Sequence, residues 1–156
     1  MKTFISLILS LIMTVSGLFG NLFTGTKKPD FCSKEEFDIY TAVNEVRKDT
    51  CVQTLELDED LCRFSRIRAQ EQIEKKGHLR PDSSRFYTVF KENGYEFKSC
   101  GENIFITSSF DVERGVEGWY NSVSHRENML DSRWIKTGVG IYSADGRTYC
   151  VQLFAC

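Results

Sequence analysis

Cys100-Gly101-Glu102-Asn103-Ile104 opens a run that continues through Thr107, and it is followed by Trp119-Tyr120-Asn121-Ser122-Val123-Ser124-His125-Arg126-Glu127-Asn128-Met129-Leu130. The first run mixes β-branched and aromatic residues over 99–107 and predicts a strand with a glycine near its start. Ahead of the second, Ser108 or Ser109 can cap a helix whose apolar stripe is Val112, Val116, Trp119 and Tyr120. That helix is expected to stop around 122–124 and to leave His125 just beyond its end, with residues 126–130 as a further turn. A strand and a helix of this kind, side by side, belong to a domain that mixes the two.

Downstream, residues 136–142 and 147–154 read as two antiparallel strands, joined by Ala144-Asp145-Gly146 with its Asp-Gly hairpin signal. Gly138 and Gly140 in the first of them predict a close approach by another element. Upstream, Ser33 and Glu36 have capping-box spacing, and Phe37, Tyr40, Val43 and Val46 mark one face of a helix ending near Asp49. A second helix is expected to start at Asp58, with Leu61, Phe64, Ile67 or its neighbour Arg68, and Ile73 buried. Lys75-Lys76-Gly77 closes it: cations in the last turn, then a glycine free to turn left-handed. Residues 81–84 read as a turn and 85–92 as a short helix stopped by Asn93-Gly94. Helices bracketing a small, partly antiparallel sheet make an α+β layered domain.

The chain has only two histidines. His78 follows the end of the second helix, His125 that of the third, and Glu102 stands beside a turn glycine between them. Imidazole titrates near neutrality and is the commonest metal ligand, so His78, Glu102 and His125 are the candidate site. If they converge, two nitrogens and one oxygen match an open zinc site, with room for water or a substrate group. Each residue also has a purely structural reading. A lone histidine is more often packed or exposed than functional, and Glu102 can serve to tie a strand to a helix. Trp119 reads as core. Ser122 and Ser124 lie close to His125, but near neighbours on one helix end seldom face each other.

These clusters, in this order, resemble the CAP superfamily: cysteine-rich secretory proteins, antigen 5 and pathogenesis-related 1 proteins, also called SCP-like domains. The resemblance covers residues 35–154. It rests on Asn44-Glu45-Val46-Arg47, Leu55-Glu56-Leu57-Asp58, Gly77-His78, Gly101-Glu102-Asn103, the 119–130 run in its bacterial-type wording, and Thr137-Gly138-Val139-Gly140-Ile141 with its partner strand. It implies a three-layer α-β-α sandwich with a small, mainly antiparallel central sheet, and a shallow groove where the histidines meet. Eukaryotic members place a second glutamate three residues after the motif tryptophan. Here that position is Ser122, which puts closed metal binding in doubt.

Composition places the domain. Lys2 and the apolar run of residues 4–15 resemble a signal peptide over 1–20, too short to serve comfortably as a membrane span, with a flexible lead-in over 21–32 and the domain over 33–156. Six cysteines follow the signal. An oxidising compartment would pair them in up to three bridges, with Cys51–Cys62 the favoured pair, and no Cys-x-x-Cys spacing supports a cysteine zinc site. Net charge is −2 with the signs interspersed, so no nucleic-acid footprint is encoded. The chain is thus expected to be secreted, to have no stable span after cleavage, and to bind a lipid, glycan, protein or metal through the groove. A metal-assisted hydrolase using the same three residues is the alternative, and a structural extracellular component with an unused cluster is a third.

Overall fold

The structure, a computed structural model, describes residues 27–156. The expected signal segment and most of the lead-in lie outside the described residues. The end of the lead-in is held rather than free: Arg66 donates to the Phe31 carbonyl (2.7 Å), and Cys32 is buried.

Helix α1 spans Lys34–Asp49 and carries the expected capping box, with Ser33 Oγ accepting from Glu36 N–H and Glu36 reaching back to the Ser33 N–H. Strand β1 is only Glu56–Leu57. Helix α2, Glu59–Glu74, starts at Asp58, whose carboxylate accepts from the Leu61 N–H. A short α3, Thr88–Glu92, precedes β2, Cys100–Thr107. Then come α4, Val112–Asn121, and α5, Val123–Met129, followed by β3, Lys136–Ala144, and β4, Arg147–Ala155.

The four strands lie in the order β1-β3-β4-β2. β3 and β4 form the expected hairpin, and the positive φ of both Asp145 and Gly146 is that of a type I′ turn. β2 pairs antiparallel with β4 from Cys100↔Ala155 to Thr107↔Thr148. β1 pairs parallel with β3, so the sheet is mixed rather than purely antiparallel.

Alternation along β4 divides the interior into two layers. Cys150 and Phe154 face α1, α4 and α5, where Ile39, Val43, Val116, Trp119, Met129 and Trp134 complete one core. Val151 and Leu153 face α2 and α3, with Leu61, Phe64, Val89 and Phe90. This is the α-β-α sandwich. A Cβ at Gly138 would overlap the Leu61–Cys62 backbone, and one at Gly140 the Ser65–Arg66 backbone, so α2 lies directly on β3.

The structure departs from expectation at several places, among them the end of α2, which stops at Glu74 before Lys75 and Lys76, and α3, which starts only at Thr88. Asp111, not Ser108 or Ser109, caps α4, because its carboxylate reaches the Arg114 N–H at 2.9 Å. The helical stretch breaks at Ser122 and restarts, which places His125 in the first turn of α5 rather than after a helix. Ile73 is exposed, and Arg68 takes the interior position. All six cysteines are free thiols. The expected Cys51–Cys62 bridge is not formed: Cys51 sits exposed beyond α1 with φ 58°, whereas Cys62 is fully buried between α2 and β3.

Candidate functional site

His78 is presented by a reversal of the chain at Gly77, whose φ of +104° suits glycine. Gln72 holds that reversal at both ends, accepting from the Gly77 N–H (2.7 Å) and donating to the Gly77 carbonyl (2.9 Å). Phe86 N–H donates to the His78 carbonyl at 3.1 Å. The His78 ring therefore stands on a fixed backbone, yet its side chain is 58% exposed.

Strand β2 supplies the middle of the site. Successive side chains of a strand point to opposite faces, and two consecutive residues use both. Glu102 faces α2, where its buried carboxylate meets His78 Nδ1 at 2.8 Å and accepts from Arg68 Nε at 2.8 Å. Asn103 faces α5, donating through Nδ2 to the His125 carbonyl (3.1 Å) and accepting from Asn128 Nδ2 (3.0 Å). Gly101 is small because Asn128 and the Trp134 ring occupy the space a Cβ would take. The Gly-Glu-Asn triplet is thus a two-sided clamp. Its glutamate orients one histidine, and its asparagine seats the helix that carries the other.

His125 belongs to α5, and Arg47 fixes the far end of that helix. Fully buried, Arg47 donates to the carbonyls of Met129 (2.7 Å), Asp131 (3.2 Å) and Gln53 (2.7 Å). Burial pushes the His125 pKa below its ordinary value, and the charge of His78 pushes the same way, so the imidazoles are near enough to sense one another. The two histidines approach from opposite layers beside β2, one of the two edge strands of the sheet.

The structure brings Glu102 onto His78 and sets His125 near enough for the His78 charge to lower its pKa, so the three are not equal metal ligands. Both Glu102 oxygens are engaged, Oε1 by Arg68 Nε and Oε2 by His78, with Arg68 Nη2 a further 3.4 Å from Oε2. Among the described residues, no group of three or more His, Cys, Asp or Glu side chains is set to hold a metal ion. The remaining donors are two imidazoles. Among the described residues, neither Ser122 nor Ser124 hydrogen-bonds to His125, and Ser122 instead marks the joint between α4 and α5. The residue that sequence reasoning undervalued is Arg68. Its spacing from Leu61 and Phe64 placed it on the buried stripe, but a charged side chain there reads as a boundary residue.

The model of the cysteine-rich secretory protein family (CAP) matches residues 40–154. The chain belongs to this family. Among its relatives, the uncharacterized protein YkwD of Bacillus subtilis (strain 168) is 29% identical over 131 residues, covering 83% of this chain and 50% of that protein. The chain thus spans about half the length of this curated relative. Among solved structures, an outer surface protein from Borrelia burgdorferi superposes with a TM-score of 0.70 at 23% identity, covering 80% of this chain and 94% of that one. NaASP2 with Zn2+ superposes with a TM-score of 0.60 at 16% identity, covering 81% and 82%. At these identities the structural likeness establishes the CAP fold.

Proposed function

We propose that this CAP domain is a secreted or surface-held binding module, and that its ligand site is the groove flanked by the His78 and His125 imidazoles. The observation that carries the reading is the contact of Glu102 Oε2 with His78 Nδ1 at 2.8 Å. A carboxylate there keeps the proton on Nδ1 and leaves the Nε2 lone pair to face the exposed side of the ring. This is the arrangement in which a carboxylate orients an imidazole for a metal. Two such nitrogens do not make the closed four-ligand site of a structural zinc. A divalent ion held there would have His78 and His125 as its protein ligands, one fewer than an open catalytic zinc, with its other positions free for water or a ligand from outside. The outer-surface neighbour and the absence, among the described residues, of any helix long and apolar enough to cross a membrane accord with a location outside the cell. In a hydrolytic use of the cluster the base would have to be an imidazole, because Glu102 spends both oxygens on Arg68 and His78.

Zinc titration by calorimetry tests the reading, with wild type set against His78→Ala and His125→Ala. One ion per chain in wild type, and lost or sharply weakened binding in each variant, is expected. Equal affinity in all three proteins removes the two imidazoles from the account.

A further inference from the structure

Among the described residues, Arg68 is the side chain that touches both the carboxylate on the His78 ring and the carbonyl of the residue before it. It is fully buried, and its guanidinium spends its donors on three separate groups. Nε donates to Glu102 Oε1 (2.8 Å), and Nη1 donates to Glu71 Oε2 (2.5 Å). Nη2 donates to the Gly77 carbonyl (2.9 Å) and lies 3.4 Å from Glu102 Oε2. Gly77 is the residue before His78, and Glu102 is the group on the His78 ring. One rigid, planar fork therefore fixes both the backbone that presents the histidine and the carboxylate that orients its imidazole.

We propose that Arg68 is the positioning residue of this site: it holds Glu102 and Gly77 in one frame, so that His78 keeps a single ring orientation with Nε2 turned toward the groove. The inference rests on the binding role given above to the two imidazoles, and adds the residue that prepares one of them. The arrangement has a chemical logic. An unpaired Glu102 would swing to whichever cation entered the groove, whereas a carboxylate already paired with a guanidinium stays on Nδ1 and orients the ring. Lysine cannot replace this, because a point charge on a flexible stem cannot serve a carboxylate and a carbonyl in fixed directions at once. Glu71 lies on the outer side of the fork, where it also receives Arg80 at 2.8 Å, and it does not touch His78 or Glu102 among the described contacts.

The test reads the His78 tautomer by ¹⁵N NMR in the protein without added metal, and zinc affinity by calorimetry, for wild type, Arg68→Lys and Glu71→Gln. Arg68→Lys keeps a charge beside Glu102 but removes the fork. Expected are one tautomer with the proton on Nδ1 in wild type and in Glu71→Gln, a mixture in Arg68→Lys, and zinc affinity about 10–100-fold weaker in Arg68→Lys alone. A mixed tautomer in wild type overturns the proposal without reference to any variant. So does a single tautomer with unchanged affinity in Arg68→Lys, or a Glu71→Gln protein that changes as much as Arg68→Lys. If wild type binds no zinc while the tautomer still becomes mixed in Arg68→Lys, Arg68 keeps its role and the metal reading alone falls.

Discussion

Gly101 and Gly138 are both glycines because something occupies the space of a Cβ, yet the two neighbours differ in kind. At Gly138 the obstruction is the Leu61–Cys62 backbone, which can move only if α2 lifts off the sheet. Gly138→Ala should therefore cost about 1–3 kcal/mol or more, the range of overpacked interiors, as measured by urea denaturation. At Gly101 the closest atom is the Asn128 side-chain oxygen, which can rotate away, and the Trp134 ring at 3.0 Å need give only a few tenths of an ångström. Gly101→Ala should cost less stability, and its effect should fall on the site, because the displaced Asn128 is what Asn103 leans on as it seats His125. His125 makes a prediction of its own. Burial and then the His78 charge hold its pKa below 6.5, so near that pH the unfolded chain takes up a proton that the folded chain refuses. Stability should thus be fuller above pH 6.5 and decline as pH falls below it, more steeply in wild type than in His125→Gln. An NMR titration of the His125 ring should place its midpoint below 6.5, and a midpoint at or above that value would contradict the burial and charge argument.

Elements that announce themselves locally were legible in the sequence. The capping box of α1, the Asp58 cap of α2 and the Asp-Gly hairpin need only residues a few positions apart. What was not legible depends on distant partners. β1 exists because Glu56 N–H finds the Ile135 carbonyl and Asp58 N–H that of Thr137, and nothing in Glu56-Leu57 itself marks a strand. The break at Ser122 is equally silent, since no side-chain bond caps α5 there. That Glu102 and His78 belong together was readable from their types and positions. The division of labour between them was not, because it turns on Arg68 lying inside the core. Asp58 shows how a local signal gains long-range weight. Besides capping α2 it accepts from Tyr95 Oη (3.1 Å) and pairs with Lys136 Nζ (3.0 Å), tying the helix start to β3. Burial pushes its carboxyl up, but the Leu61 N–H, Lys136 and Tyr95 outweigh it and hold the pKa below 3.8. Asp58→Ala should cost about 1–2 kcal/mol, chiefly the cap, since the Lys136 end is partly exposed and screened. The pH-dependent part of that stability is present above pH 3.8 and is lost as pH falls through the lower folded value. The difference between wild type and Asp58→Ala in urea midpoints should therefore narrow in acid.

Across the whole molecule, the histidines come one from each layer, so the proposed site can form only while both layers are docked on the sheet. The layers carry different reporters. Trp119 and Trp134 both lie in the α1/α4/α5 layer, whereas the aromatic cluster of Phe64, Phe86, Phe90, Tyr95 and Phe97 fills the other. Tryptophan fluorescence therefore follows one layer, and far-ultraviolet circular dichroism follows helices of both. Because β4 packs Cys150 and Phe154 into one layer and Val151 and Leu153 into the other, neither layer can leave without exposing the far side of the same strand. The two signals should trace one coincident unfolding transition. The thiols offer a third probe of the same event. Burial pushes Cys62 up to about 12 and drives Cys150 higher still, so neither forms a reactive thiolate in the folded chain, while Cys51 is exposed. An alkylating reagent near neutral pH should label Cys51 in the native protein, and reach Cys62 and Cys150 only along the denaturation curve drawn by the other two signals. With every thiol free, reductant should leave the melting temperature where it was, because no cross-link constrains the unfolded chain. A melting temperature that drops in reductant would mean that bridges form in the protein as produced, and would require its thiols to move from the positions seen here.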